Sequence, residues 1–102
     1  MKLYLDTSTD TVILKLDDKT YTQNFGTHMA EKLLQFIHEK LEENNYTWQD
    51  ITEIDFMNGP GSFTGLRIGA TIVNTLIHGL NLPQKPFIPD YGRGANISKP
   101  RK

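Results

Sequence analysis

The spacing of apolar positions first changes near residue 27. Before that point short apolar runs are bounded by Thr, Ser and Asp. K-L-Y-L-D at 2–6 and T-V-I-L-K-L at 11–16 both read as strands. In K-T-Y-T-Q-N-F at 19–25, Thr20, Thr22 and Asn24 alternate with Tyr21, Gln23 and Phe25, the pattern of a half-exposed strand at a sheet edge. The connections S-T-D and D-D are tight, which predicts three antiparallel strands in succession.

From Thr27, read as the N-cap, Ala30, Leu33, Leu34, Ile37 and Leu41 recur at helical spacing, with Met29 and Phe36 widening the stripe and Asn44 and Asn45 ending it. T-W-Q-D at 47–50 has capping-box spacing and predicts one short helical turn. I-D-F-M at 54–57 predicts a fourth strand, broken by Gly59-Pro60-Gly61. Ser62 then caps a second helix reaching about Leu80. Residues 87–88 read as a short strand. The chain divides into a lobe over 1–88 and an extended basic tail over 89–102, with Arg93, Lys99, Arg101 and Lys102. The order β-β-β-α-β-α(-β) places a strand parallel to an earlier one after a helix. The fold class is α/β, a mixed sheet with helices on one or both faces.

The second helix has more apolar surface than a sheet needs. Taking Leu66 as the reference direction, Phe63, Ala70, Val73, Ile77 and Leu80 form the stripe that packs on the sheet. Ile68, Ile72 and Leu76 lie to one side, with Gly65 and Gly69. Each interior helical glycine costs about 1 kcal/mol relative to alanine. Four residues apart, they are read as a flat groove into which a foreign helix fits. On that reading a charged side chain at Gly69 abolishes association and leaves the fold intact. The alternative is that the two helices cover each other and the sheet.

Composition narrows the function classes. With 102 residues, 37% apolar, a formal charge of −1 and no cysteine, the chain reads as one modest domain without disulfides or thiolate metal sites. Neither a signal-peptide core nor a run of transmembrane length is present in this sequence, so a cytoplasmic protein with no membrane role is expected. His28, His38 and His78 lack metal-site spacing and read as helix-surface residues, so no metal is expected. No catalytic residue is assigned, since G-P-G-S-F-T-G departs from the nucleophile elbow.

Two stretches resemble phosphate loops. N-G-P-G-S-F-T-G lies between a strand and a helix start, where N–H groups and the helix dipole favour anions, but it lacks the P-loop lysine and the Rossmann glycine spacing. D-T-S-T at 6–9 follows the first strand, and its plainer reading is an Asx turn closing a hairpin. Asp6, Thr7, Gly59, Gly61 and Ser62 are therefore the nucleotide-binding candidates, beside a purely structural reading of both turns.

L-D-T-S-T near the start, together with G-P-G-S-F-T-G-L-R-I-G after the fourth strand, resembles the TsaB (YeaZ) family of the ASKHA superfamily, related to TsaD. H-M-A-E-K-L-L is similar to a segment of that family's first helix, with Ala30 and Glu31 shifted. The resemblance covers about residues 1–86. It implies an RNase H-like, actin-like lobe and a non-catalytic scaffold that binds TsaD in synthesis of threonylcarbamoyladenosine on tRNA, with TsaE completing the assembly and tRNA met indirectly. It implies pairing with TsaD, or with a second copy as a homodimer, through the helices at 28–43 and 62–80. The partner-binding candidates are Met29, Leu33, Phe36, Ile37, Gly65, Ile68, Gly69, Ile72 and Leu76. The family has two lobes and this sequence has room for one, so the interlobe cleft is expected to be missing. No cofactor is expected, with ATP entering only at a partner interface. The alternatives are a minimal nucleotide-binding phosphotransferase using Asp6 and the 59–65 turn, and a stand-alone homodimeric module.

Overall fold

The computed structural model describes residues 1–90. Among them lie β1 (Lys2–Asp6), β2 (Thr11–Leu16), β3 (Lys19–Asn24), α1 (Met29–Glu43), β4 (Glu53–Phe56) and α2 (Phe63–Gly79). The sheet order is β3-β2-β1-β4, with β1–β2 and β2–β3 antiparallel and β1–β4 parallel. The antiparallel run of β1 to β3 and the parallel return of the fourth strand are those the sequence predicts; that β4 pairs with β1 is what the structure adds. Both helices lie on one face. That face carries the buried alternate residues of the strands, Leu3 and Leu5, Val12, Leu14 and Leu16, Ile54 and Phe56. Leu33, Ile37 and Leu41 of α1 and Leu66, Val73 and Ile77 of α2 close over them. Burying each such side chain contributes about 1.5–3 kcal/mol.

The turns follow their chemistry. Asp17 takes the left-handed conformation, φ +54°, between β2 and β3, and its carboxylate accepts from the Lys2 N–H at 2.9 Å. Asp50 closes the short turn at 48–50 by accepting from the Thr47 N–H at 2.7 Å.

Several expectations are corrected. A single 3₁₀ turn, Gly26–His28, leads into α1, so His28 and not Thr27 is the N-cap, with no side-chain hydrogen bond. β4 begins at Glu53, one residue earlier than expected. Residues 87–88 form no strand, and a strap over 82–90 runs along the β4 edge instead. The Gln84 carboxamide accepts from Ile54 N–H and donates to Ile54 C=O, both at 2.7 Å. The Asn74 carboxamide holds Phe87 the same way, accepting its N–H at 2.8 Å and donating to its C=O at 2.9 Å. The Phe87 ring lies 5.8 Å from that of Phe56. Of the expected tail at 89–102, residues 91–102 lie outside the described residues.

Candidate docking face and glycine turn

The two phosphate-loop-like stretches meet at the carboxyl ends of β1 and β4, and they meet each other. Asp6 Oδ1 accepts from the Ser8 N–H at 2.8 Å and from the Ser8 hydroxyl at 2.6 Å, an Asx turn. The Ser62 N–H donates to the Ser8 carbonyl at 2.8 Å, and Ser62 Oγ accepts from the Gly65 N–H at 3.2 Å, the N-cap of α2. Thr7 is fully buried, and its hydroxyl donates to the Gly65 carbonyl at 2.7 Å. A Cβ at Gly61 would lie 2.6 Å from Ser8 Cβ, so glycine lets the two turns stack. Gly59 has φ +117° and lies against Leu66 and the Asp90 carbonyl. The N–H groups of Ser62 and Gly65, which would face an anion, thus hold the turns and helix together, as does the Thr7 hydroxyl. Among the described residues no three His, Cys, Asp or Glu side chains gather to hold a metal ion.

Gly65 and Gly69 require the main correction. They do not face outward. A Cβ on Gly65 would strike the Thr7 carbonyl oxygen. One on Gly69 would strike Thr7 Oγ1 and lie 2.6 Å from Phe56 Cε1. The missing side chains bring α2 close to β1 and β4 of the same chain, so the groove read for a foreign helix is filled from within. A charged residue at Gly69 would disrupt the fold rather than test association. Met29, Leu33, Phe36 and Ile37 are also interior: Leu33 and Ile37 are wholly buried, and Met29 and Phe36 nearly so. These four belong to the core and offer a partner little surface.

What remains open is the other side of α2. Ile68, Ile72 and Leu76 are only half-buried against the core. Ala30 of α1, with Thr64, Arg67, Ile68, Thr71 and Ile72 of α2, lines a groove of about 430 Å³. Leu34 and Phe63 extend the apolar character, at 51% and 55% exposure. The Arg67 guanidinium lies 5.9 Å from the centre of the Phe63 ring. The sequence placed Phe63 in the buried stripe. Its position as the first residue of α2, beyond the end of the sheet, turns it outward. Leu34 lies at the margin of the α1 stripe, and that marginal angle was the available signal for it; Ala30 falls inside the stripe, between Ile37 and Leu41, and carried no such signal.

A family model described as TsaD, tRNA N6-adenosine threonylcarbamoyltransferase, matches residues 16–88. The chain is 36% identical over 90 residues to the tRNA threonylcarbamoyladenosine biosynthesis protein TsaB of Haemophilus influenzae, covering 83% of this chain and 38% of the relative. It is 33% identical over 86 residues to TsaB of Bacillus subtilis, covering 79% and 38%. The solved structure of YeaZ from Pseudomonas aeruginosa superposes with a TM-score of 0.70 at 31% identity, over 80% of this chain and 40% of that one. The chain thus spans about two fifths of the length of these relatives. The match runs from β2 past the end of α2, through the glycine turn and the half-buried isoleucines: the chain belongs to the TsaD family, as a segment of its TsaB (YeaZ) branch.

Proposed function

We propose that this chain is a non-catalytic docking subunit in the synthesis of threonylcarbamoyladenosine on tRNA, and that it binds a TsaD-like protein through the outer face of α1 and α2. The observation that carries the reading is the ridge Ile68–Ile72–Leu76. It stays half-exposed after the chain has packed both its helices on its own sheet, and it opens onto an apolar groove beside Ala30. An apolar ridge with a polar rim of Thr64, Arg67 and Thr71 has the anatomy of a protein interface. The names of the relatives supply the pathway. The internal use of Thr7, Ser62 and Gly65 in holding the turns together supports a structural role for both loop-like stretches. In this reading a TsaE-like ATPase joins the assembly through the partner, ATP enters at the partner interface, and tRNA is met indirectly.

The test is co-purification with a TsaD-like protein. Ile72→Glu should abolish the complex and leave the circular dichroism unchanged, because the residue is half-exposed. An unchanged complex would show that the face is wrong. Calorimetry with ATP and magnesium addresses the phosphotransferase alternative: tight binding by the chain alone, lost in Asp6→Ala, would favour it.

A further inference from the structure

The two edges of the sheet are finished differently. At β4 the outward-facing peptide groups are met from the strap, Ile54 by the Gln84 carboxamide and the Asn58 carbonyl by the Asp90 N–H. At β3 the sheet stops. The Phe25 N–H donates to the Asp10 carbonyl at 3.2 Å. By the alternation of an antiparallel ladder, the peptide groups of Tyr21 and Gln23 also point at β2, and those of Thr20, Thr22 and Asn24 point away from the sheet. All of β3 except Tyr21 is exposed. Edges are normally guarded by proline, by inward charges or by a bulge. β3 has no proline, its pairing with β2 is unbroken over six residues, and its one charge is Lys19 at the start. Beside it a groove of about 430 Å³ runs between β3 and α1, lined among others by Gln23, Phe25, Lys32, Phe36 and Glu39. α1 runs back along β3, so that Asn44 at its far end donates to the Tyr21 hydroxyl at 2.8 Å. The partly buried Phe25 ring stands edge-to-face on Phe36, centroids 5.4 Å apart, and gives the groove an apolar floor. Its two ends carry opposite charges. Lys32 lies toward the start of α1 and Glu39 two turns further on, where it accepts from the Gln35 carboxamide at 3.3 Å. Among the described residues neither has an ion-pair partner.

We propose that this edge takes an extended segment of a different protein, added antiparallel to β3, with an acidic, an apolar and a basic side chain at alternate positions in that order. The outward peptide groups of Thr20, Thr22 and Asn24 supply the hydrogen bonds, and the groove reads every second side chain. A segment antiparallel to β3 runs parallel to α1, so its amino end lies beside Lys32. Directly opposed residues share a face of the sheet, so its side chains opposite Phe25, Gln23 and Tyr21 fall on the helix side. The first meets Lys32, the second the floor of Phe25 and Phe36, and the third Glu39. The lengths agree. Lys32 and Glu39 are about 10 Å apart along the helix axis. Side chains on one face of a strand repeat about every 7 Å, so two repeats span that distance within the reach of long side chains. β3 itself lacks the pattern. Added antiparallel about Thr22, it would bring Lys19 to the Lys32 end, cation against cation, and would offer no carboxylate there. α2 packs on β1 and β4, away from this edge, so the inference does not rest on the docking face.

The probe is a phage-displayed library of random heptapeptides, selected on the whole chain. The selected peptides should share Asp or Glu, then an apolar residue, then Lys or Arg, each two positions after the last. A capped synthetic peptide of that consensus should slow hydrogen exchange at the Thr20, Thr22 and Asn24 amides. Thr22→Pro removes an outward N–H that the β2–β3 ladder does not use, and should weaken the peptide about tenfold with an unchanged circular dichroism spectrum. If that variant fails to fold, Lys32→Glu on the exposed side of α1 keeps the question open to test. It should weaken the consensus peptide about fivefold and prefer a peptide whose acidic residue is replaced by lysine. A change that only disturbed the structure would weaken both peptides and reverse no preference. A library that yields no shared pattern, a peptide bound equally by Thr22→Pro and the wild type, an unaltered preference in Lys32→Glu, or an edge that takes a second copy in place of any peptide would each overturn the proposal. Ile72→Glu, which breaks the docking face, should leave peptide binding unchanged, so this inference and the proposed function fail separately.

Discussion

Gly69→Ala discriminates sharply, because two readings of α2 give it opposite signs. On a helix face open to solvent, alanine for glycine stabilises by about 1 kcal/mol, since glycine carries more backbone entropy into the unfolded state. The structure replaces that gain with a clash. The added Cβ would overlap Thr7 Oγ1 and lie 2.6 Å and 3.0 Å from Phe56 Cε1 and Cζ. Neither neighbour yields easily: Thr7 is fully buried with its hydroxyl tied to Gly65, and Phe56 is in the core. Overpacking of this kind costs about 1–3 kcal/mol, so with the propensity gain subtracted the net result lies between about zero and 2 kcal/mol of destabilisation. Gly79 in the same helix is the internal control, because a Cβ there meets nothing within 4 Å, and Gly79→Ala should stabilise by up to about 1 kcal/mol. Urea unfolding of both variants beside the wild type measures the difference. Each kcal/mol corresponds to about 4–8 °C in thermal midpoint for a domain of this size. A Gly69→Ala variant stabilised as much as Gly79→Ala would refute the packing of Gly69 on Thr7 and Phe56.

Thr7→Val keeps the shape and removes the second donor to the Gly65 carbonyl, which retains its place in the α2 ladder, and should cost about 0.5–1.5 kcal/mol in urea unfolding. Gln84→Ala frees both peptide groups of Ile54 at an edge that water reaches, so a loss of about 1–2 kcal/mol is expected, with faster hydrogen exchange at the Ile54 amide. Leu33→Ala, in the centre of the core, should cost about 2–5 kcal/mol, against less than about 1 kcal/mol for Leu34→Ala one residue along, and their thermal melts should separate accordingly. The Tyr4 phenol is held above its ordinary value of 10.0, first by burial and then by the charges of Asp6 and Asp55. Its neutral form is favoured in the folded state, so stability is fully present below pH 10 and falls as pH rises from there through the raised value. Tyr46 is raised too, by desolvation and by its hydrogen bond to Asp17, so phenolate absorbance should show a late-titrating fraction that falls by one phenol, and does not vanish, in Tyr4→Phe.

The strands and helices were legible because a period of two gives way to one of 3.6, and because the first connections were too tight for anything but hairpins. The parallel return of β4 followed from the helix before it. The direction of the glycines was not legible. A helical wheel says which residues share a direction, not which neighbour meets them. Gly69 lies only about 60° from Leu66 and Gly65 about 100°, on the border between the sheet-facing stripe and the ridge of Ile68, Ile72 and Leu76. Which side of that border they serve is decided by Thr7, more than fifty residues earlier, whose buried hydroxyl is bonded to the Gly65 carbonyl. The strap was hidden for a related reason. Gln84 and Asn74 use side-chain amides in place of a strand's backbone, and no periodicity records that substitution.

The inward glycines also bear on why the outer ridge exists. A helix carrying side chains at 65 and 69 would have to stand further from β1 and β4. Without them α2 seats its backbone against Thr7 and Phe56. Ile68, Ile72 and Leu76 follow at successive turns on the next direction around the helix, too far from the sheet to be enclosed and too close to α1 to be fully exposed. A ridge held at that height, beside a small residue at Ala30, leaves a shallow groove and not a closed core. The glycines and the ridge are therefore two parts of one device: the close approach inside fixes the rotation and depth of α2, and that placement sets which apolar side chains remain for another protein to cover.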